Sequence, residues 1–277
     1  MPEGDTIHKL AAFMAPRLEG RELVGVGFRN SLDEPRLRGR RVQVVEARGK
    51  HLLIRLDDDR IIRSHLGMHG SWHMYAATAP ESDWQRPREQ ASLVLATEDS
   101  RFVCFNARDV EVLTSPSVRE RIVHGRLGPD LIADDVFPET IARRALAFAD
   151  ADTLIVDTLL DQRVAAGIGN VYKSEVLFLE GLPVDLPTVR VGADRIGSCY
   201  RRAASLLEQN LGGGPRVTRP ATDSRGRLWV YGRAGLACHD CGSRIVTKRL
   251  GRHHRDTWWC PECQRTPKQD KGATRSC

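Results

Sequence analysis

Two cysteine pairs, Cys238-x2-Cys241 and Cys260-x2-Cys263, stand 18 residues apart near the end of the chain. Each two-residue spacer lets one tight turn deliver two thiolates to a single ion, the spacing of a tetrahedral four-cysteine zinc site. Gly242 after the first pair and Pro261 inside the second suit such knuckles. A set of reduced, buried cysteines is the alternative. At the other end lies Met1-Pro2-Glu3. The small second residue permits removal of the initiator methionine, which leaves Pro2 as a secondary amine. An α-amino group titrates near pH 8 against about 10.4 for lysine, so on the order of 10% is unprotonated at neutral pH. Such an amine attacks an electrophilic carbon, and a secondary amine then gives a permanently cationic iminium, an electron sink. Glu3 beside it can move a proton. A Met-Pro start without chemical meaning is the alternative here.

Three further stretches bear charge or special backbone. Arg48-Gly49-Lys50-His51 reads as a turn from which Lys50 reaches a phosphate or a reacting centre, or else as an exposed hairpin lysine. Gly167-Ile168-Gly169-Asn170 sits between two helical patterns. It places Asn170 at a helix N-terminus, where unpaired amides and the helix dipole favour an anion. A plain capping turn would look the same. Arg255, five residues before Cys260, is placed where a zinc-pinned ribbon would hold it rigidly enough to grip a phosphate diester. Arg252, His253 and His254 stand beside it, but four cysteines already fill the metal site. His65, His69 and His73 are spaced four apart, yet Gly67 and Gly70 between them argue against a helical metal face.

The elements that must position these groups follow from periodicity. Ile7, Leu10, Ala11, Met14 and Leu18 are spaced for a helix capped by Asp5 or Thr6, which Pro16 should stop or kink near Ala15. Short extended stretches follow at 23–28, 41–47, 51–56, 60–65, 92–97, 101–106 and 110–113, with Asp57-Asp58-Asp59 as a hairpin turn. They predict an antiparallel sandwich or barrel. After Ser115-Pro116 the pattern turns helical, at 138–149, 152–162, 170–179 and 193–211. A polar, basic stretch then leads to the cysteine ribbon. Residues 266–277 are polar and charged and read as disordered.

The 277-residue chain carries a net charge of +6, unevenly spread. From Leu211 onward there are 14 basic and 5 acidic residues, a net of +9, and the first 210 residues carry −3. A basic C-terminal quarter points to a polyanionic partner. No apolar run approaches the roughly 18–20 residues of a membrane span, and the acidic start is unlike a secretory signal. A cytoplasmic, nucleoid-associated monomer without a membrane partner is expected. Cys104 and Cys199 read as packing residues, and Cys277 as part of the tail.

Taken in order, Met1-Pro2-Glu3-Gly4, Arg48-Gly49-Lys50, Ser64-His65-Leu66-Gly67-Met68, the Gly-Ile-Gly-Asn170 stretch and the four-cysteine ribbon resemble the formamidopyrimidine-DNA glycosylase and endonuclease VIII family. The resemblance runs to about Gln264. It implies an α+β fold: an N-terminal antiparallel β-sandwich catalytic domain (1–118), a helix–two-turn–helix DNA-binding domain (119–228), a four-cysteine zinc finger (229–265) and the tail (266–277). It implies a bifunctional enzyme that excises oxidised bases from damaged DNA and cuts the abasic strand by β,δ-elimination, with one structural zinc ion. Carried over by position, Pro2 attacks C1′ and Glu3 donates a proton. Lys50 assists elimination, Arg255 grips the phosphate, and Asn170 and Arg126 contact DNA. Met68, with His69 beside it, is the plug for the gap left by a flipped base.

Asp5-Thr6 in place of a second proline-glutamate pair, the loop 105–111 and the short 211–229 segment favour oxidised pyrimidines such as thymine glycol. A purine-directed glycosylase and a non-catalytic zinc-dependent DNA-binding protein are the rival readings.

Overall fold

After Glu3 the apolar residues recur every three to four positions, and the chain forms helix α1 (Gly4–Leu18), with Ile7, Ala11, Met14 and Leu18 buried. In a computed structural model, residues 1–29, 34–114, 127–135, 137–220 and 224–265 are described; Arg126, Cys277 and the 266–277 tail fall outside them. The helix does not stop at Ala15. It runs through Pro16, because Leu18 is fully buried and the Arg17 guanidinium donates to the Phe13 carbonyl at 2.6 Å.

The chain makes two compact units that interleave in sequence. One comprises 1–136, 161–169 and 204–215, the other 137–160, 170–203 and 216–277. In the first, eight strands follow α1: β1 (Gly25–Phe28), β2 (Val42–Arg48), β3 (His51–Leu56), β4 (Ile61–His65), β5 (Ser71–Ala76), β6 (Ala91–Ala96), β7 (Ser100–Phe105) and β8 (Asp109–Leu113). They form two antiparallel four-stranded sheets ordered β2-β3-β4-β8 and β1-β6-β7-β5. Alternate residues point into one core, where Leu52, Ile54 and Leu56 of β3 meet Leu93, Leu95, Phe102, Cys104 and the apolar stripe of α1. This is the expected sandwich. Strand β5 was not expected. Trp72, Met74 and Ala76 alternate with polar side chains, and the strand lies at a sheet edge with neither face fully buried. Asp57–Asp59 forms the β3–β4 hairpin turn, with Asp59 at φ +66°.

The second unit carries α2 (Pro138–Phe148), α3 (Ile155–Leu160), α4 (Asn170–Leu179), most of α5 (Ala193–Gln209) and a two-stranded ribbon of β9 (Val246–Leu250) and β10 (Arg255–Trp259). Helix α3 is shorter than its periodicity suggests. The chain leaves it at Asp161, where the Val164 and Arg163 amides bond back to that residue. No described helix is long and apolar enough to cross a membrane.

Candidate active site and nucleic-acid interface

Glu3 is the N-cap of α1 and is fully buried. Its backbone N–H donates to Thr6 Oγ1 at 3.4 Å, and its Oε2 accepts the Gly169 N–H at 2.7 Å. A Cβ on Gly169 would collide with the Glu3 carboxyl, so this approach requires glycine. One residue on, the Gly4 N–H donates to the Gly167 carbonyl at 2.9 Å. Pro2 precedes this capped start half-buried, and Met1 ahead of it is 40% exposed, open to enzymatic removal.

The β2–β3 turn carrying Lys50 docks on the same 164–169 segment, since Gly49 packs against Ala166. A buried aspartate that the sequence reading passed over holds this arrangement. Asp130 Oδ2 accepts the Gly49 N–H at 2.6 Å and bonds His8 Nε2 of α1 at 3.1 Å, while Oδ1 accepts the Ile132 N–H. Burial alone would raise the Asp130 pKa, but the His8, Gly49 and Ile132 hydrogen bonds outweigh it and hold the carboxyl below its usual range. Asp134 secures the turn from outside through Arg48 at 2.7 Å. Pro2 and Glu3 at the start of the chain and the distant turn carrying Lys50 thus share one supported corner of the first unit.

Lys50 leads into a row of cross-strand neighbours, Arg48, His51, His65 and Asp109, one from each strand of the sheet. The two imidazoles lie 4.9 Å apart between ring centres, and Arg63 reaches His51 Nδ1 at 2.8 Å. Burial, then the charges of Arg63, His65, Lys50 and Arg108, lower the His51 pKa to about 3. Burial and Lys50 lower that of His65 to about 4, against a smaller upward pull from Asp109. At the same end of the sheet the tight turn after β4 presents Met68, 50% exposed, and His69, also exposed. The stem of Arg108 packs over Gly67 in that turn. His65 therefore lies in a strand, His69 in a turn and His73 in the next strand, and no helical histidine face exists there.

In the second unit Asn170 opens α4. Its Nδ2 donates to the Asp256 carbonyl at 2.8 Å, and its Oδ1 accepts from Lys173 Nζ at 2.6 Å. Lys173 is fully buried and also reaches Thr257 Oγ1 at 2.8 Å. Asn170 is thereby fastened to the ribbon strand that Arg255 begins. Arg255 itself is half-buried. Glu175, another fully buried charge, accepts the backbone N–H groups of Trp229, Val230 and Tyr231 at 2.8–2.9 Å and the Thr218 hydroxyl. It fixes the chain entering the ribbon. The sequence reading missed Lys173 and Glu175. Nothing in the sequence marks these two charges; only the fold shows that residues 170–178 of their helix are all buried.

The four cysteine sulfurs lie within 4.8 Å of one another, with Cys238–Cys263 at 3.8 Å and Cys241–Cys260 at 3.4 Å. A tetrahedron of sulfurs about 2.3 Å from zinc has edges of about 3.8 Å, so the donor set fits that ion in type and spacing. Cys104 and Cys199 are buried away from the cluster. Burial pushes both thiols up, that of Cys199 to about 12, which leaves them inert packing groups.

The family described as "Formamidopyrimidine-DNA glycosylase N-terminal domain" matches residues 1–111. The "Probable endonuclease 8 2" of Streptomyces coelicolor is 40% identical over 278 residues, covering 96% of this chain and 95% of its own. The DNA-(apurinic or apyrimidinic site) lyase of Mycolicibacterium smegmatis is 38% identical over 272 residues, covering 95% of this chain and 99% of its own. A Lactococcus lactis formamidopyrimidine-DNA glycosylase, solved non-covalently bound to AP-site DNA, matches with a TM-score of 0.78. It covers 96% of this chain and 100% of its own at 22% identity, a likeness of fold.

Proposed function

The chain belongs to the formamidopyrimidine-DNA glycosylase and endonuclease VIII family, and from that premise we propose that it is a DNA glycosylase/AP lyase, removing oxidised bases, mainly pyrimidines, and cutting the abasic strand by β,δ-elimination. The observation that carries this reading is the corner where the Glu3 carboxylate, beside Pro2, is locked on the Gly169 amide while the Lys50 turn docks on the same segment.

Once Met1 is removed, the Pro2 nitrogen attacks C1′ of the damaged nucleotide. The glycosidic bond breaks and the base leaves with the proton released by the Pro2 nitrogen; the C1′–O4′ bond of the resulting aminal then opens as Glu3 protonates O4′. The iminium that forms withdraws electrons as C2′ loses a proton, and the C3′–O bond breaks with the 3′ phosphate as leaving group. Lys50 assists this step and holds phosphate. Arg255 grips the flanking phosphate and assists the second elimination, and Asn170 binds the backbone. Met68 fills the gap left by the flipped base. A structural zinc held by Cys238, Cys241, Cys260 and Cys263 supplies rigidity to the ribbon rather than chemistry to the sugar.

The test is borohydride reduction during turnover. Processed, zinc-loaded protein should yield a covalent adduct on duplexes bearing thymine glycol or a preformed abasic site, and acetylation of the Pro2 nitrogen should abolish it. Preference for 8-oxoguanine would move the protein to the purine-directed branch. Absence of adduct on every damaged strand would end the enzymatic reading and leave a DNA-binding protein.

A further inference from the structure

Helix α3 carries a carboxylate to which the proposed chemistry assigns no task. Asp157 is 7% exposed. Its Oδ1 accepts the backbone N–H of Arg252 at 2.9 Å, and its Oδ2 is buried without a hydrogen-bond partner among the described residues. A half-satisfied buried carboxylate is unfavourable in itself, so what it does for its surroundings must offset that cost. The contact falls on the β9–β10 hairpin turn. There Gly251 adopts φ +71°, and a Cβ built on it would collide with Asp157 Oδ1. The Arg252 side chain turns to Asp150 at 2.6 Å and feels the charges of Asp157 and Asp152 as well.

On the far side of the hairpin, Lys173 of α4 holds the Asp256 carbonyl and the Thr257 hydroxyl. Arg255 lies between these two fastenings, three residues after Arg252 and one before Asp256. Its position therefore depends on both helices. A hairpin fixed only at its cysteine end would let the turn, and Arg255 with it, swing.

We propose that Asp157 is a positioning residue for Arg255: through the Arg252 amide and its close fit to Gly251, it sets the hairpin from which Arg255 reaches a DNA phosphate. The inference rests on the phosphate-gripping role proposed for Arg255.

The experiment uses the full, processed, zinc-loaded chain on an abasic duplex. It reads the ratio of δ- to β-elimination ends, the yield of borohydride adduct, and amide hydrogen exchange across 251–257. Asp157→Ala should lower the δ:β ratio at least fivefold and speed exchange at Arg252, with adduct yield within twofold of wild type. Asp157→Asn, whose amide oxygen can accept the same N–H, should restore both. Gly251→Ala should reproduce the defect. The double variant should lose less than the two single losses added together, because the colliding carboxylate is gone and only the strain of alanine at φ +71° remains. An unchanged δ:β ratio in Asp157→Ala despite faster exchange, or strictly additive losses in the double variant, would overturn the proposal. If Asp157→Ala fails to retain zinc, Gly251→Ala and Asp157→Asn decide by the same readings. Failure of wild type itself to form an adduct would instead remove the enzymatic premise.

Discussion

At the scale of single residues, the proposed chemistry depends on one close approach. Gly169 gives its N–H to Glu3 and leaves no room for a methyl group between them. Gly169→Ala should push the carboxylate off its hydrogen bond, and a displacement of about 1 Å at a reacting group costs on the order of a hundredfold in rate. The loss should appear in kcat on thymine glycol DNA. Gly212→Ala, with nothing within 4 Å of its built Cβ, should stay at the wild-type rate. Near-normal turnover by Gly169→Ala would show that the Gly169 N–H is not what positions Glu3. Pro2, Glu3, Lys50 and the cysteines were legible by type and spacing, because amine, carboxylate and thiolate chemistry shows in the residue itself. His8, Asp130, Lys173 and Glu175 were not. Each acts through a partner distant in sequence, and a buried polar side chain cannot be told from a solvated one until that partner is known.

At the scale of elements, the end of β3 and β4 holds a neutral histidine pair beneath Lys50. His51 and His65 titrate at about 3 and about 4, below the roughly 6.5 of an unfolded chain. As pH falls through 6.5, the unfolded chain binds protons that the native sheet refuses. The stability they allow at neutral pH is therefore lost progressively toward pH 4. The slope is at most about 1.4 kcal/mol per pH unit for His51, and smaller for the more exposed His65. The urea midpoint should fall between pH 7 and 5, and His51→Asn should flatten that fall. Identical slopes in the two proteins would show that the pair is not what limits acid stability. Elements with a clear period were legible: β3 and α4 match their predicted bounds to the residue. Strand β5 was hidden by its edge position and mixed faces. The end of α3 was hidden because the 161–169 stretch owes its shape to distant bonds, such as Ala166 N–H to the Pro129 carbonyl at 2.8 Å.

At the scale of the whole molecule, positive charge and the cysteine cluster coincide. Net charge is −3 over the first 210 residues and +9 from Leu211 onward. The order of motifs along the chain made the family visible. The interleaving of the two units was not visible, because it depends on tertiary packing with no local pattern. A basic segment binds DNA tightly only if its charges are held where phosphates will be, since flexible cations pay an ordering cost on binding. Cys260 is fully buried with Phe178, Val230 and Ile245. Cys260→Ser, or chelation of the intact protein, should therefore release the ribbon strands that carry Lys248, Arg249 and Arg255. Affinity for an uncleavable abasic analogue should drop at least tenfold at about 0.15 M salt. The slope of log K against log salt should become shallower by about 1 to 2, roughly one unit for each phosphate that is no longer neutralised. Zinc added back to the chelated wild type should restore both, and to Cys260→Ser neither. A chelated protein that keeps full affinity and an unchanged salt slope would show that the basic residues bind without the metal-pinned ribbon, and that its role lies in shape alone.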